Sequence, residues 1–561
     1  MKILLIHPIT RTKNITEDRV GIGYPTGIGY IGAYLQEQGH EVTIFDNNQK
    51  CYGKDKLTKY LEDSDADIVG ISAMVNAYNQ VMQLTRLIKE VKGCPIVLGG
   101  AMATYSPEVI MRNMDVDVCV LGEGEETAGE LFGNWPNYAG IPGIAYMEDD
   151  EQFVKTEDRM FAKTRDDYPY PGYDGLLDIS KYWRATLATW ETHIRDEKLM
   201  HSYKKRVHEG MKIATMVTGM GCPYKCTFCT NSTHYMKTRE RTPQNVAKEA
   251  MYLKNKFGIE GIRFDDDLLI LQKKRTLELC KELKKTGLLW SGQSVGRATS
   301  EDAIVAEMAD AGCVGFGVGI ETGSDRLLKA MLKGSRTKHY EMAYHNAIKH
   351  GVGIRVQLLY GSPGEDRSTL EETVDFFKRT GMPPRRFNRL LPMPGSAVFD
   401  QCLEQGIIYN EHDFLNCTSM ISGYTSRSIN FNITSMSDEE YLANQDWAET
   451  ALYKNYEDKV KSDPSFWYYL IKHYVIKILK VKPLVRFITR KITSTLLNKR
   501  RDKRTDYQHR EAEQQKTLLT TLYPEMLPDP DKIGFKNKPL VDKRIDVIFS
   551  SAAEAAEAEA A

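Results

Sequence analysis

The sequence predicts an α/β protein in three parts: an N-terminal Rossmann-like parallel sheet, a central β/α unit of partial-barrel type, and a helical C-terminal region. Three observations carry this. Strand-like apolar runs alternate with amphipathic stretches over the first 150 residues, the pattern of a parallel sheet with crossover helices. The alternation resumes after a connector, and there each strand-like run ends in a polar cluster, as in barrels whose carboxyl-end face carries the site. Beyond residue 400 the pattern turns helical. At 561 residues the chain is too long for one core. The expected divisions are 1–150, a linker over 151–205, a barrel over 206–400, a mainly helical 401–549 and a low-complexity tail 550–561.

In the first part, strands are expected at Lys2–Ile6, Glu41–Asp46, Ile68–Ser72, Pro95–Leu98 and Val116–Leu121, with helices near Gly27–Gln38 and Tyr78–Val91. Gly29, Gly32 and Ala33 allow the first helix to approach the sheet closely, and Gly39 ends it. Glycines gather where strands end, at Gly99-Gly100 and Gly122-Glu123-Gly124-Glu125. Open parallel sheets bind ligands beyond the carboxyl ends of their strands, so these loops are candidate binding elements; equally, they serve as turns. Neither is GxGxxG, and no such fingerprint follows the first strand, so a nicotinamide site is not indicated.

Proline, glycine and aspartate concentrate over Lys163–Gly175, which marks a connector. Ile213–Thr218 then reads as a buried strand feeding Gly221-Cys222-Pro223-Tyr224-Lys225-Cys226-Thr227-Phe228-Cys229. CxxxCxxC supplies three thiolates to a four-iron cluster and leaves one iron open to a small chelating substrate. Structural zinc wants four ligands, and no fourth cysteine or paired histidine follows at zinc-finger spacing; His234 is the nearby candidate. A degenerate zinc knuckle or three unrelated buried thiols is the alternative. Downstream, Ile262–Phe264 ends in Asp265-Asp266-Asp267, Val314–Gly319 leads to Glu321-Thr322-Gly323, and Arg355–Tyr360 ends in Gly361-Ser362-Pro363-Gly364-Glu365, with a charged helix over Lys273–Lys285. Adjacent carboxylates suit a divalent cation, yet successive strand residues face opposite ways, so a loop position beside the site is favoured.

Apolar content of 42% with 27% charged residues is that of a soluble globular protein, and a net charge of −1 gives no field that would attract nucleic acid. Ten cysteines, scattered apart from the one cluster, fit reduced thiols in a cytosol. The N-terminus lacks the features of a signal peptide, and no uncharged apolar run approaches the ~18 residues of a membrane span. A cytoplasmic location is expected.

With Phe228 directly before the last cysteine, the motif resembles that of the radical S-adenosylmethionine (SAM) superfamily. The resemblance continues through Asp266-Asp267, Trp290 with Arg297, Gly312-Cys313, Gly319-Ile320-Glu321-Thr322-Gly323-Ser324, Gly361–Glu365 and Leu391-Pro392-Met393-Pro394-Gly395-Ser396. It implies a partial barrel of about six strands, a [4Fe-4S] cluster on Cys222, Cys226 and Cys229 beside Phe228, and SAM contacts from Arg297, Glu321 and Gln357. Taken singly, Glu321 is equally a helix cap and Arg297 a surface ion pair.

The first 150 residues resemble the cobalamin-binding domain that precedes many such enzymes. Tyr24-Pro25-Thr26-Gly27-Ile28-Gly29-Tyr30, Gly39-His40-Glu41-Val42 leading to Asp46, Val69-Gly70-Ile71-Ser72 and the two glycine loops carry that resemblance. It places Ser72, Gly99, Gly100, Gly122, Glu123 and Gly124 against the corrin or its nucleotide tail. The DxHxxG motif that sets a histidine on cobalt is missing; His7 stands at the strand end at a different spacing. That suits cobalamin without a lower histidine, or a domain that has lost the cofactor.

Together these resemblances imply a cobalamin-dependent, class B methylase-like radical SAM enzyme. Such an enzyme generates a 5′-deoxyadenosyl radical and methylates an unactivated carbon of a small metabolite, natural-product intermediate or lipid. It draws electrons from an external one-electron reductant such as a flavodoxin or ferredoxin. The rival is a radical SAM oxidoreductase or cyclase that uses cobalamin without methyl transfer, and a non-catalytic cobalamin or iron–sulfur sensor is the reading from another class. A tRNA methylthiotransferase is disfavoured, since no extra cluster domain is apparent and the charge is not basic. Residues 466–504 interleave aromatics with lysine and arginine, which reads either as peripheral contact with an anionic membrane or as helices with solvated lysines over a core.

Overall fold

In the computed structural model, which describes residues 1–9, 23–149, 151–183, 187, 206–208, 210–230, 238–419 and 431–462, the N-terminal alternation becomes a seven-stranded sheet. Its strands are β1 (Lys2–His7), β2 (Glu41–Asp46), β3 (Ile68–Ser72), β4 (Ile96–Gly99), β5 (Val118–Val120), β6 (Ile144–Met147) and β7 (Phe153–Lys155). They lie in the order β2-β1-β3-β4-β5-β6-β7. β1 to β5 pair in parallel, and β6 with β7 adds an antiparallel hairpin. That hairpin carries the sheet past the expected division at 150, to Lys155. His234, the basic stretch 466–504 and the tail 550–561 lie outside the described residues.

Alternation along β1 explains why both faces are covered. Ile3 and Leu5 enter one core and Leu4 and Ile6 the other, because successive side chains point to opposite faces. The helices Thr26–Glu37 and Glu125–Asn134 close the first face. Gly39, at φ +85°, takes the left-handed turn that ends the first of them. From β1 the chain passes to β2 on one side, and β3 lies on the other, which opens a crevice between the carboxyl ends of β1 and β3.

The central part is an open sheet of six parallel strands: β8 (Ile213–Met216), β11 (Gly261–Phe264), β12 (Leu289–Ser294), β13 (Cys313–Glu321), β14 (Gly353–Tyr360) and β15 (Phe387–Arg389). Its order is β15-β14-β13-β12-β11-β8, the partial barrel expected. Between β8 and β11, the antiparallel pair β9 (Gly219–Met220) and β10 (Arg239–Glu240) brackets the cysteine loop. Crossover helices carry their own start and stop signals. Thr242 accepts a hydrogen bond from the Asn245 amide ahead of Pro243–Phe257, which Gly258 ends in the left-handed region. Leu187, Met211, Ile213 and Val314 form an apolar floor.

The described part of the C-terminal region is mainly helical, as expected, but its helices divide between the two cores. Ala397–Glu404 and Glu411–Ser419 bury Val398, Phe399, Phe414 and Leu415 with Leu4, Ile6 and Ile71 of the N-terminal sheet. Asp438–Ser462 instead sets Tyr441, Ala448 and Leu452 into the barrel's outer core. Each set of side chains extends a core that the sheet already shares with its own helices, and their burial adds to it.

Gly100 makes a test of this geometry. It sits at φ +86°, and a Cβ there would lie 2.6 Å from the Ala73 carbonyl oxygen, whereas a Cβ on Gly99 meets nothing closer than 3.9 Å. Gly100→Ala is expected to destabilise the protein by at least ~1 kcal/mol in urea melts, from the left-handed backbone alone, and Gly99→Ala by markedly less. Equal effects would show that the two strand-end loops do not touch.

Candidate active site

The cysteine loop is held at its root and its tip. At the root, Asp266 accepts hydrogen bonds from the Thr218 amide (2.8 Å) and hydroxyl (2.9 Å). Burial pushes the Asp266 carboxyl up to about 6, while the bonds from Thr218 and the charge of Arg275 pull it back. At the tip, the Thr227 amide donates to the Met331 carbonyl (3.1 Å), and the Thr227 carbonyl accepts from the Val398 amide (3.0 Å). Gly334 leaves room for the Tyr224 ring, which a Cβ there would strike.

This clamp buries Cys226 and leaves Cys222 and Cys229 partly exposed, none of the three in a disulfide. Burial pushes the Cys222 and Cys226 thiols up, the neighbouring cysteines add to the rise, and Lys333 opposes it. Among the described residues, no three His, Cys, Asp or Glu side chains converge on one ion. A cubane asks for something else, since each thiolate takes a different iron. Three reduced cysteines on one clamped loop, with the Lys333 ammonium beside them, fit that group.

The wall opposite the loop is β13. Phe316, Val318 and Ile320 point into the outer core, so Gly315, Gly317 and Gly319 face the lumen. Side chains from neighbours occupy the space the glycines leave: a Cβ on Gly317 would collide with the Gln293 amide, and one on Gly319 with the Glu321 carboxylate. The pairing with β14 shifts between Gly319 and Glu321, and Glu321 takes φ +65°, a rare conformation for a residue with a side chain. Glu321 accepts from Lys333 Nζ at 2.7 Å, with the two side chains 11% and 17% exposed. Burial alone would lower the Lys333 ammonium, but Glu321, Tyr340 and Cys226 hold it well above its ordinary value. The same ammonium lies 5.3 Å from the centre of the Phe228 ring.

At the carboxyl edge of the N-terminal sheet, Ser72 pairs with Gly99 across β3 and β4. The Gly122 amide donates to Thr104 Oγ1 at 2.9 Å, so the loops carrying Ser72, Gly99-Gly100 and Gly122 form one row. This row, built of small residues beside the β1/β3 crevice, fits a broad flat ligand such as a corrin. Gly124 lies against Ile31. Glu123 is placed differently from the rest: its carboxylate is buried between Arg165 and Arg239, with Arg239 Nη1 at 2.7 Å. It joins the two sheets. His7, at the end of β1, bonds through Nδ1 to Asp46 (2.9 Å), which also accepts from the Tyr182 hydroxyl (2.9 Å).

The two carboxyl edges meet at the cysteine loop. Arg239 on β10 reaches Glu123 after β5, Phe228 packs on the N-terminal core, and a Cβ on Gly395, after β15, would strike the Tyr105 ring in the helix after β4. Of the expected SAM contacts, Glu321 and Gln357 lie on the inner wall, Gln357 half-buried beside Gly319. Arg297 is turned outward. It is exposed and lines a cleft of about 280 Å³ with Pro223, Tyr224 and Glu301. Of the aspartates, Asp265 pairs with Arg263 (2.9 Å) and Asp267 acts electrostatically on Cys222.

Sequence reasoning missed Lys333, and it named Glu365 only as a member of the polar cluster after β14. Lys333-Gly334, after a short helix, was the available signal. Glu365, wholly buried, accepts from the Gly361 (2.5 Å) and Ser362 (3.3 Å) amides and thereby ties its own loop at the end of β14. Burial pushes it up to about 8 against those two bonds.

The B12 binding domain family matches residues 13–132, and the Radical SAM superfamily matches residues 216–377. An uncharacterized methyltransferase of Pyrococcus horikoshii is 28% identical over 442 residues, covering 76% of this chain and 90% of its own. The cytidylyl-2-hydroxyethylphosphonate methyltransferase of Streptomyces wedmorensis is 28% identical over 455 residues, covering 74% and 84%. The anaerobic magnesium-protoporphyrin IX monomethyl ester cyclase of Rubrivivax gelatinosus is 24% identical over 413 residues, covering 72% and 70%. The same fold occurs in the radical SAM methyltransferase TsrM of Kitasatospora setae, solved with cobalamin and a [4Fe-4S] cluster. Its TM-score is 0.59 at 16% identity, over 83% of this chain and 89% of that one.

Two outcomes follow from the buried charges. Lys333→Met strands the Glu321 carboxylate and is expected to cost about 3 kcal/mol in urea melts, most of it recovered in Lys333→Met/Glu321→Gln; additive losses would mean the pair does not couple. Glu365 has a folded-state value above its unfolded one, so its contribution is complete at low pH and is lost as pH rises through about 8. Urea midpoints taken across that window should fall more steeply for the parent than for Glu365→Gln, which keeps the amide acceptor; parallel falls would place the carboxyl in contact with water.

Proposed function

We propose that this chain, which joins a B12 binding domain to a radical SAM domain, is a cobalamin-dependent radical SAM methyltransferase acting on an unactivated carbon of a small molecule. One observation carries the proposal: the carboxyl edges of both sheets meet at the loop of Cys222, Cys226 and Cys229. When bound there, the cluster supplies an electron for cleavage of SAM, and cobalamin supplies a methyl carrier. The chain's own residues position and exclude. Cys222, Cys226 and Cys229 hold the cluster from a loop fixed by Asp266 and Met331. The Glu321–Lys333 pair offers a carboxylate and an ammonium to the amino and carboxylate groups of SAM, with Gln357 beside it on the wall. Ser72, Gly99, Gly100 and Gly122 line the corrin's face of the N-terminal sheet.

Methyl transfer is supported by the Pyrococcus horikoshii and Streptomyces wedmorensis relatives, both methyltransferases by name; cyclisation without methyl transfer is the second reading, supported by the Rubrivivax gelatinosus cyclase. The test is anaerobic incubation of protein reconstituted with iron, sulfide and hydroxocobalamin. About one cobalamin per chain is expected, and reductant with SAM should yield both 5′-deoxyadenosine and S-adenosylhomocysteine. Deoxyadenosine without homocysteine product would favour the cyclase reading. Deoxyadenosine that persists in Cys226→Ala would overturn the assignment of the cysteine loop.

A further inference from the structure

The outward side of the cysteine loop carries a concentration of unpaired positive charge that the reaction itself does not use. Lys225 within the loop, Arg297, Lys329, Arg336 and Lys338 are all exposed, and among the described residues none of their side chains makes an ion pair. The backbone sets them round one place: the Arg297 amide donates to the Ser335 hydroxyl (3.2 Å), Gly334 lies against the Tyr224 ring next to Lys225, and the Thr227 amide donates to the Met331 carbonyl (3.1 Å), so the segment from Lys329 to Lys338 lies beside the cysteine loop. Lys338, Arg297 and Arg336 also all act electrostatically on His339. Of the nearby carboxylates, Glu301 is paired with Lys273 (2.6 Å), and Asp325, which accepts from the Thr337 amide (2.8 Å), stands as one negative charge among the five positive ones.

Exposed apolar side chains accompany the charges. Leu332 is 57% exposed at φ +53°, and Pro223 of the cysteine loop is exposed. The cleft lined by Pro223, Tyr224 and Arg297 runs from this face to the loop. Apolar side chains together with charges make up a transient docking surface, and rim charges chiefly set the rate of encounter.

We infer that this face receives the one-electron donor, a small acidic carrier protein that sets its carboxylates against Lys225, Arg297, Lys329, Arg336 and Lys338 and its redox centre over Pro223 and Leu332. The inference rests on the radical SAM reading and adds to it the route by which electrons reach the cysteine loop. The substrate then enters elsewhere, from the side where the two carboxyl edges meet, so donor and substrate occupy opposite sides of the loop.

The experiment compares Arg336→Glu/Lys338→Glu, and separately Lys329→Glu, with the parent holoenzyme, using reduced flavodoxin or dithionite as the electron source and 5′-deoxyadenosine as the readout. With flavodoxin at low salt the double variant should be slower by about tenfold, within the range electrostatic steering gives, and added salt should bring the parent down toward it. With dithionite, variants and parent should agree. Unchanged flavodoxin-driven rates in both variants would overturn the surface, as would equal losses with both reductants. Absence of deoxyadenosine from the parent with dithionite would instead remove the radical SAM reading beneath it.

Discussion

The relative placement of the two sheets hangs on a buried set of charges. Arg165, 4% exposed, lies between Glu123 and Glu125, and Glu123 also receives Arg239. Alongside, Arg241 pairs with Glu249, bonds the Tyr30 hydroxyl at 3.1 Å, and shares Glu249 with Tyr173 (2.7 Å). Tyr30 and Tyr168 present their rings to Arg165 at 5.6 and 5.4 Å. Desolvating such groups costs several kcal/mol each, and apolar side chains would often serve stability as well. Charges do something else here. Their partners come from the first sheet, the connector and the barrel, and a wrong docking angle would leave one of them buried alone, so the network admits one arrangement of the two carboxyl edges.

That arrangement was only partly legible in the residues. β1 to β4 announce themselves because each is a short apolar run with a clear end, at His7-Pro8, Asp46-Asn47, Ser72 and Gly99-Gly100, and the cysteine loop because its spacing suits one metal cluster. β12 does not, since Leu289-Trp290-Ser291-Gly292-Gln293-Ser294 is half polar; it becomes a strand through parallel pairing on both sides. β6 and β7, four and three residues long, are below the length at which alternation can be read. Glu123 looked like a member of a glycine loop because its partners stand 42 and 116 residues away. Lys333 was hidden for a related reason: what brings it to Glu321 is a register shift in β13, which no local pattern marks.

β13 shows how a central strand can be weak by composition and still sit at the heart of the barrel. Glycine at alternate positions forfeits side-chain packing and adds backbone entropy to be lost. The outward residues Phe316, Val318 and Ile320 are wholly or almost wholly buried and offset that cost on the other face. The lumen thereby gains volume next to the cysteine loop without widening the sheet, and Glu321 and Lys333 occupy part of it as a neutral pair rather than as two solvated ions.

The division of the C-terminal helices between two cores has a consequence for biosynthesis. Leu390, Val398, Phe399, Phe414 and Phe431 complete the apolar interior of the first sheet, yet a ribosome that has finished Lys155 needs roughly ten to fifty seconds more to reach Leu390. Through that interval the second face of the nascent N-terminal sheet is covered by its own helices, Lys54–Asp63 and Tyr78–Val91, but lacks the C-terminal share of its core. The apolar side chains that later meet Val398, Phe399 and Phe414 are then targets for holdase chaperones or for premature association between polysome neighbours. Yield in a foreign host would accordingly respond to translation speed over the barrel, and a fragment ending before residue 390 would not behave as an independent cofactor module.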